Sequence, residues 1–78
     1  MKMLVDLQNI LSQTKPTDLV FTEQTKFSSI PNWNSLQHVM FIDAVEKYYK
    51  IEFDLISVMQ METIGDLCAQ INKLLPNS

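Results

Sequence analysis

Ser35 is the residue in this sequence whose type and position are best suited to covalent chemistry. It follows Asn34 at the start of the strongest helical pattern in the chain, which runs from Ser35 to about Lys50. Asn34 predicts an N-cap, because its side-chain oxygen can accept a hydrogen bond from an orphan amide of the first turn. Ser35 is then the first helical residue, and its hydroxyl can face solvent. An anionic group attached there would lie at the positive end of the helix dipole, so the position favours a phosphate ester.

His38 lies one helical turn after Ser35, which raises a nucleophile and its general base as a second possibility. No third residue is clearly suited to orient this histidine, and a histidine in the first turn of a helix is more often a partly buried polar contact. His38 is the only histidine and Cys68 the only cysteine, so no cluster has the spacing of a zinc site. The sequence therefore predicts neither an enzyme active site nor a bound metal.

The size and charge of the chain narrow the classes of function. Its 78 residues predict a single domain over residues 1–78, too small to build a large catalytic cleft easily. The net charge of −3 argues against nucleic acid or an anionic membrane and favours a protein partner with a basic patch. There is no signal-peptide pattern, no apolar membrane span and no pair of cysteines. We expect a monomeric, soluble, cytoplasmic protein with Cys68 in its core.

Apolar residues at helical spacing predict three main helices and one short helix, with no strand. The first covers residues 2 to 13 and ends before Pro16. After the helix that starts at Ser35, Asp54 predicts the cap of a short helix, and Thr63 with Asp66 predicts a capping box for a last helix that ends before Pro76. The expected apolar residues are Leu4, Leu7, Ile10 and Leu11 in the first helix, Leu55, Ile56, Val58 and Met59 in the short one, and Ile64, Leu67, Cys68, Ile71, Leu74 and Leu75 in the last.

A connection of about 20 residues separates the first two helices, which is long for a domain of this size. Such a loop is expected only if its own side chains hold it against the core. Apolar residues are available for this at Val20, Phe21, Phe27, Ile30 and Trp33. We expect the loop to be ordered without regular structure, with Trp33 packing it onto the helices.

The helix that starts at Ser35 has two different faces. The expected core face carries Phe41, Ile42, Ala44, Val45, Tyr48 and Tyr49. The opposite face carries Leu36, Val39 and Met40 beside Ser35, followed by Asp43, Glu46, Lys47 and Lys50. Apolar residues rimmed by charge next to a modified serine predict a small docking surface. The alternative is that the long loop folds over these apolar residues and covers them.

The order of these parts resembles the acyl carrier protein family over nearly the whole chain. Asn34-Ser35-Leu36 is similar to the family's Asp-Ser-Leu motif, and the run from Thr63 to Leu67 is similar to its Thr-Val-Gly-Asp-Leu-like start of the last helix. Residues 39–46 and Tyr49 follow the family's second helix, and Phe27 falls where the family often has an aromatic that anchors the loop. The resemblance implies an all-α fold, a small four-helix bundle.

The resemblance also implies a function and the residues that carry it. Ser35 would receive 4′-phosphopantetheine from coenzyme A through a phosphopantetheinyl transferase. The thiol would then hold acyl or aminoacyl groups as thioesters, supplied by a loading ligase and used by synthases or transferases of a fatty-acid, polyketide or non-ribosomal peptide type pathway. The partner-binding residues would be Asn34, Leu36, Val39, Met40, Asp43, Glu46 and Lys47. An apolar cargo could fold between Ile42, Val45, Ile56 and Met59, although ordinary core packing is the favoured interpretation of these four.

Three departures from the family pattern bear on these expectations. Asn34 stands in place of the usual aspartate, and Asn32 in place of the usual glycine, although asparagine tolerates a left-handed backbone. The second helix mixes acidic residues with Lys47 and Lys50, which favours a specialised pathway over housekeeping fatty-acid synthesis. Two alternatives stay open: a helical adaptor that binds a partner through Leu36, Val39 and Met40, and a carrier fold that is never modified.

Overall fold

The structure is a computed structural model that describes residues 2–14 and 20–75. Its helices are α1 (Lys2–Thr14), α2 (Ser35–Tyr49), α3 (Leu55–Gln60) and α4 (Ile64–Leu74), with a 3-10 turn at Phe27–Ser29. Within the described ranges there is no strand, only an isolated antiparallel bridge between Lys26 and Thr63. The all-α prediction of three main helices and one short helix is confirmed. Pro16 and Pro76, which were expected to end two of the helices, lie outside the described residues.

One hydrophobic core joins the four helices and the long loop. Leu7, Ile10 and Leu11 of α1 are buried in it, and Leu4 packs partly buried against it. Cys68 is also buried, and burial raises the pKa of its thiol. It is a core residue, as its place on the apolar stripe of α4 predicts. None of the helices in the described ranges combines the length and apolar character needed to cross a membrane.

The core face expected for α2 is largely confirmed. Phe41, Ile42 and Val45 are buried, and Ala44 and Tyr49 pack partly buried against the core. The prediction is wrong for Tyr48, which is exposed. The Tyr48 ring packs edge-on against the Tyr49 ring, with 4.8 Å between centroids, instead of entering the core.

The long loop is held by its own apolar side chains, as expected, but not by all of them. Phe21, Phe27 and Ile30 are buried, whereas Val20 is 77% exposed, so the prediction for Val20 is wrong. The Phe21 amide donates a 2.8 Å hydrogen bond to Oε1 of Gln8 on α1, which fixes Phe21 toward the core. Val20, the neighbouring residue, is turned toward solvent instead.

A set of backbone hydrogen bonds ties the same loop to the start of α4. The amides of Ile64 and Gly65 donate to the carbonyl oxygens of Thr25 and Glu23, each at 2.8 Å. The first amides of a helix have no partner within the helix, so here the loop supplies the acceptors. The approach is close enough that a Cβ on Gly65 would lie 2.8 Å from the Glu23 oxygen.

The predicted caps of α3 and α4 are confirmed. Oδ1 of Asp54 accepts from the Ser57 amide. At α4, Thr63 Oγ1 accepts from the Asp66 amide at 3.1 Å, and Asp66 Oδ2 accepts from the amides of Glu62 and Thr63 at 2.9 and 3.1 Å. Hydrogen bonds from the Glu62 and Thr63 amides favour the charged carboxylate, so they lower the pKa of Asp66 from its ordinary 3.8.

Gly65→Ala tests the close contact between the loop and α4. Alanine is the better helix former, but the new methyl group must push the Glu23 carbonyl away, so we expect a net loss of about 1 kcal/mol in the free energy of unfolding. Urea unfolding measures this loss. Asn72→Ala, at an exposed position of the same helix, is the matched control and should be neutral or slightly stabilising. A Gly65→Ala protein as stable as this control would contradict the contact.

Asp66→Asn tests the capping box through its dependence on pH. Because the folded state lowers the pKa of Asp66, the carboxylate contributes stability above its unfolded-state pKa and loses it as the pH falls through the folded value. Asp66→Asn should therefore unfold at lower urea than the parent at neutral pH, and the difference should shrink at pH values below 3.8. A difference that stays constant with pH would show that the charge of Asp66 does not act in this way.

Candidate functional site

Ser35 is the first residue of α2 and follows a side-chain N-cap, as the sequence predicts. Asn34 has extended backbone (φ −142°, ψ −178°), and its Oδ1 accepts a 2.9 Å hydrogen bond from the Gln37 amide. The Asn34 carbonyl accepts from the His38 amide at 3.0 Å, which is the first bond of the helical pattern. Ser35 is thus the first helical residue, and it is exposed. Its hydroxyl lies at the positive end of the α2 dipole and is accessible to another molecule.

A tight turn immediately before Asn34 sets the position of Ser35. The Trp33 amide donates to the Ile30 carbonyl at 3.1 Å, and Asn32 between them has a φ of 61°, in the left-handed region. Asparagine adopts this region more readily than most residues. The structure therefore explains how Asn32 can stand where the resembling family has glycine.

Aromatic rings hold this turn against the helices. The Trp33 ring stacks on the Phe27 ring, with 5.8 Å between centroids and 19° between planes. The Phe41 ring of α2 meets both of them edge-on, at 6.0 Å from Trp33 and 6.2 Å from Phe27. The expectation that Trp33 packs the loop onto the bundle is confirmed.

His38 links α2 to α3 through its side chain. Its Nε2 lies 3.1 Å from the carbonyl oxygen of Val58, and since a carbonyl can only accept, Nε2 must carry a proton. The ring also meets Phe27 edge-on at 4.7 Å. The partly buried polar contact expected for this histidine is confirmed. Among the described residues, no group of three or more His, Cys, Asp or Glu side chains could hold a metal ion.

A groove with a volume of about 540 Å³ opens beside Ser35, between the loop, α2 and α3. Ser35 itself forms part of the wall. The other lining residues are Lys26, Phe27, Ser28, Trp33, Asn34, His38, Val39, Val58, Met59, Met61 and Glu62. More of the wall is apolar than polar, so the groove suits a flexible chain that carries both hydrocarbon and amide groups.

The four residues between which an apolar cargo was suggested to fold have different surroundings in the structure. Ile42 and Val45 are core residues, which confirms the favoured interpretation of ordinary packing for these two. For Ile56 and Met59 that interpretation is wrong, since they are 69% and 72% exposed. Only Met59 of the four lines the groove beside Ser35. Helix α3 has only six residues, and Val58 is the one that is buried in the core.

The apolar residues at the start of α2 are open to solvent. Leu36, Val39 and Met40 are 65%, 55% and 42% exposed, so the alternative in which the long loop covers them is wrong. They lie on the same part of α2 as Ser35 and are available for contact with another molecule. Leu55 of α3 is exposed as well, a feature that sequence analysis missed. The signal was present, because four of the six residues of α3 are apolar and a helix this short cannot bury them all.

The charged residues of α2 are engaged within the protein. Nζ of Lys47 forms an exposed ion pair with Oδ2 of Asp43 at 2.9 Å, one turn away. Oε2 of Glu46 accepts a 2.8 Å hydrogen bond from the Phe53 amide, which holds the connection from α2 to α3. Sequence analysis missed this bond, since it spans a turn in which Lys50 adopts left-handed backbone with a φ of 58°. Glu46 is therefore a structural residue whatever its part in partner binding.

The chain is similar to the solution NMR structure of a holo acyl carrier protein from Geobacter metallireducens, with a TM-score of 0.85 and 32% sequence identity. The match covers 99% of this chain and 90% of that one. No family model and no curated protein matches the sequence.

Asn34→Ala and Asn34→Asp together test whether the role of Asn34 is to cap α2. Alanine removes the acceptor for the Gln37 amide, so we expect a loss of about 1 kcal/mol in the free energy of unfolding. Aspartate keeps an acceptor and adds a negative charge at the positive end of the helix, so this variant should be at least as stable as the parent. Urea unfolding at neutral pH compares the three proteins. An Asn34→Ala protein as stable as the parent would contradict the capping role.

Proposed function

The chain belongs to the acyl carrier protein family, and we propose that it carries acyl or aminoacyl groups on a 4′-phosphopantetheine arm attached to Ser35. The observation that supports Ser35 as the attachment point is its place in the structure. Ser35 is an exposed residue at the first position of α2. It follows the N-cap Asn34 and a turn whose side chains pack on the core. The similar Geobacter metallireducens protein is a holo form, and 4′-phosphopantetheine is the group that holo acyl carrier proteins carry.

The residues around Ser35 fit this group. A phosphate ester on the hydroxyl would lie at the N-terminal end of α2, where the helix dipole stabilises negative charge. Beside it, the groove offers apolar wall from Val39, Val58 and Met59 and a cation on Lys26. In the loading reaction, the Ser35 oxygen would form a bond to the phosphorus that carries pantetheine and lose its proton, and the adenosine bisphosphate part of coenzyme A would leave.

The proposed role of the protein is to deliver the acyl or aminoacyl cargo, and its partner enzymes carry out the chemical steps. When bound, 4′-phosphopantetheine supplies a thiol that holds the cargo as a thioester. Tethering gives the cargo a high effective concentration at the active site of each enzyme that docks beside Ser35. Asn34 and the exposed side chains of α2 (Leu36, Val39, Met40, Asp43, Glu46 and Lys47) are the residues that we propose for this docking. None of them needs to act as a catalyst.

The proposed partners are a phosphopantetheinyl transferase, a ligase that loads the cargo, and the synthases or transferases that use it. The mixed charges of α2 support a specialised pathway over housekeeping fatty-acid synthesis, since Asp43 and Glu46 are accompanied by Lys47 and Lys50. The net charge of −3 supports protein partners over nucleic acid. We propose that the protein works as a monomer in the cytoplasm.

The exposed apolar residues of α2 keep the helical adaptor as a second candidate. Leu36, Val39 and Met40 could bind a partner helix with no modification of Ser35. In an unmodified carrier fold, Asn34 would serve only as a cap. Both alternatives differ from the proposed carrier in one respect, because neither needs the Ser35 hydroxyl.

Modification in vitro separates these functions. The purified chain is incubated with coenzyme A and a broad-specificity phosphopantetheinyl transferase, and its intact mass is measured. We expect a gain of one phosphopantetheine unit in the parent and none in Ser35→Ala, which should retain its helical circular dichroism spectrum. Ser28→Ala is the matched control, since Ser28 is an exposed serine on the wall of the same groove. It should be modified as well as the parent.

A negative result is informative if a known carrier is modified in a parallel reaction. No mass gain in the parent, and none in Asn34→Asp, would contradict the carrier function and favour the adaptor. A gain in Asn34→Asp alone would show that the missing acidic residue, and not the position of Ser35, prevents modification.

A further inference from the structure

The imidazole ring of His38 uses one of its two nitrogens inside the protein. Its Nε2 donates to the carbonyl oxygen of Val58 at 3.1 Å, so Nε2 carries the proton of the neutral ring. In that tautomer Nδ1 carries no proton and acts as a hydrogen-bond acceptor. The bond to Val58 therefore fixes the chemical character of the second nitrogen.

The Nδ1 atom of His38 has no hydrogen-bond partner among the described residues. It is also open to solvent. In the same part of the chain, the buried side-chain nitrogens and oxygens that lack a partner are Nε1 of Trp33 and the hydroxyl of Tyr49. Because Nδ1 is not one of these buried atoms, it is an acceptor that a molecule from outside can reach.

The open part of the His38 ring lies in the groove beside Ser35. The Phe27 and Trp33 rings meet the His38 ring edge-on, at 4.7 and 6.1 Å between centroids, and Val58 covers the Nε2 side. The rest of the ring forms part of the groove wall. Side chains three positions apart are neighbours on a helix, so a group attached to Ser35 can reach this wall.

A neutral imidazole nitrogen needs an N–H or O–H donor, and the proposed arm supplies such donors. A 4′-phosphopantetheine arm contains two amides, each with an N–H and with hydrocarbon on either side. The amide nearer to the phosphate matches a histidine that is only one helical turn from Ser35. Val39, Val58 and Met59 on the groove wall suit the hydrocarbon on either side of that amide.

We propose that His38 is a positioning residue for the arm, whose nearer amide N–H donates a hydrogen bond to Nδ1 and rests in the groove between deliveries. This inference rests on the proposed function and gives His38 a role beyond its contact with Val58. A hydrogen bond between neutral groups contributes little net free energy. The arm is therefore held loosely enough for a docked enzyme to draw it out.

Hydrogen exchange of the arm in the full-length holo protein tests the proposal. The chain is modified with coenzyme A that carries 15N in both amides, and the exchange of each arm amide proton with water is measured by NMR. Free labelled coenzyme A gives the unprotected rates. We expect the nearer amide to exchange about fivefold more slowly on the protein, as one weak hydrogen bond allows, and the farther amide by less than about twofold. A nuclear Overhauser effect should join the nearer amide proton to Hε1 of His38.

Two variants of equal side-chain size separate the acceptor from the contact with Val58. His38→Asn and His38→Leu both remove the Nε2 donor, but asparagine keeps an oxygen near the position of Nδ1 and leucine does not. We expect slowed exchange of the nearer amide in the asparagine variant and the rate of free coenzyme A in the leucine variant. Ser28→Ala, on the wall of the same groove, is the matched control and should exchange as the parent does. Urea unfolding of each variant shows that it is folded under the conditions of the exchange measurement.

Three results would overturn the proposal. The first is a nearer amide that exchanges in the parent as fast as in free coenzyme A, and the second is slowed exchange of the farther amide alone. The third is equal exchange in His38→Asn and His38→Leu, which would show that the acceptor does not hold the arm. All three leave the carrier function in place, since they are measured on an attached arm. A parent that is never modified removes the proposed function and this inference with it.

Discussion

The rest of the site depends on the packing of the Phe27 side chain in the core. Its ring stacks on Trp33 and meets Phe41 and His38 edge-on, while its amide donates to the Glu62 carbonyl at 3.0 Å. One residue of the long loop is thereby joined to the turn before Ser35, to α2 and to the segment before α4. Without these contacts the loop would lose much of the surface that holds it, and the entry to α2 would no longer be fixed. An irregular segment can place a reactive group accurately when its side chains share the core of the helices that it connects.

The distribution of apolar residues follows from the same arrangement. The loop, α1 and α4 use most of their large side chains to fill the core. Helix α3 is too short to do so, and Leu36, Val39 and Met40 lie on the side of α2 that faces away from the core, so these apolar residues stay in solvent. Exposed apolar residues increase the risk of aggregation. In a carrier, the same residues can provide reversible contact with each enzyme in turn, which gives a reason for this exposure beside Ser35.

The parts of the fold that could be predicted from the sequence are those set by local chemistry. Asn34, Asp54 and Thr63 each accept the expected amide hydrogen bond, because capping involves residues only three positions apart. The predictions for Val20, Tyr48, Ile56 and Met59 were wrong because helical spacing shows which residues share a face but not how much of that face a neighbour covers. The bond between Glu46 and the Phe53 amide and the groove beside Ser35 depend on contacts between elements, and no local pattern encodes them.

On the proposed function, Ser35 is a site of covalent attachment in the living cell. The most direct measurement is the intact mass of the chain isolated from the cells that naturally make it, followed by fragmentation to locate any added group. We expect phosphopantetheine on Ser35, with part of the population carrying an acyl or aminoacyl thioester. A chain found entirely unmodified, in cells whose other carrier proteins bear the group, would contradict it.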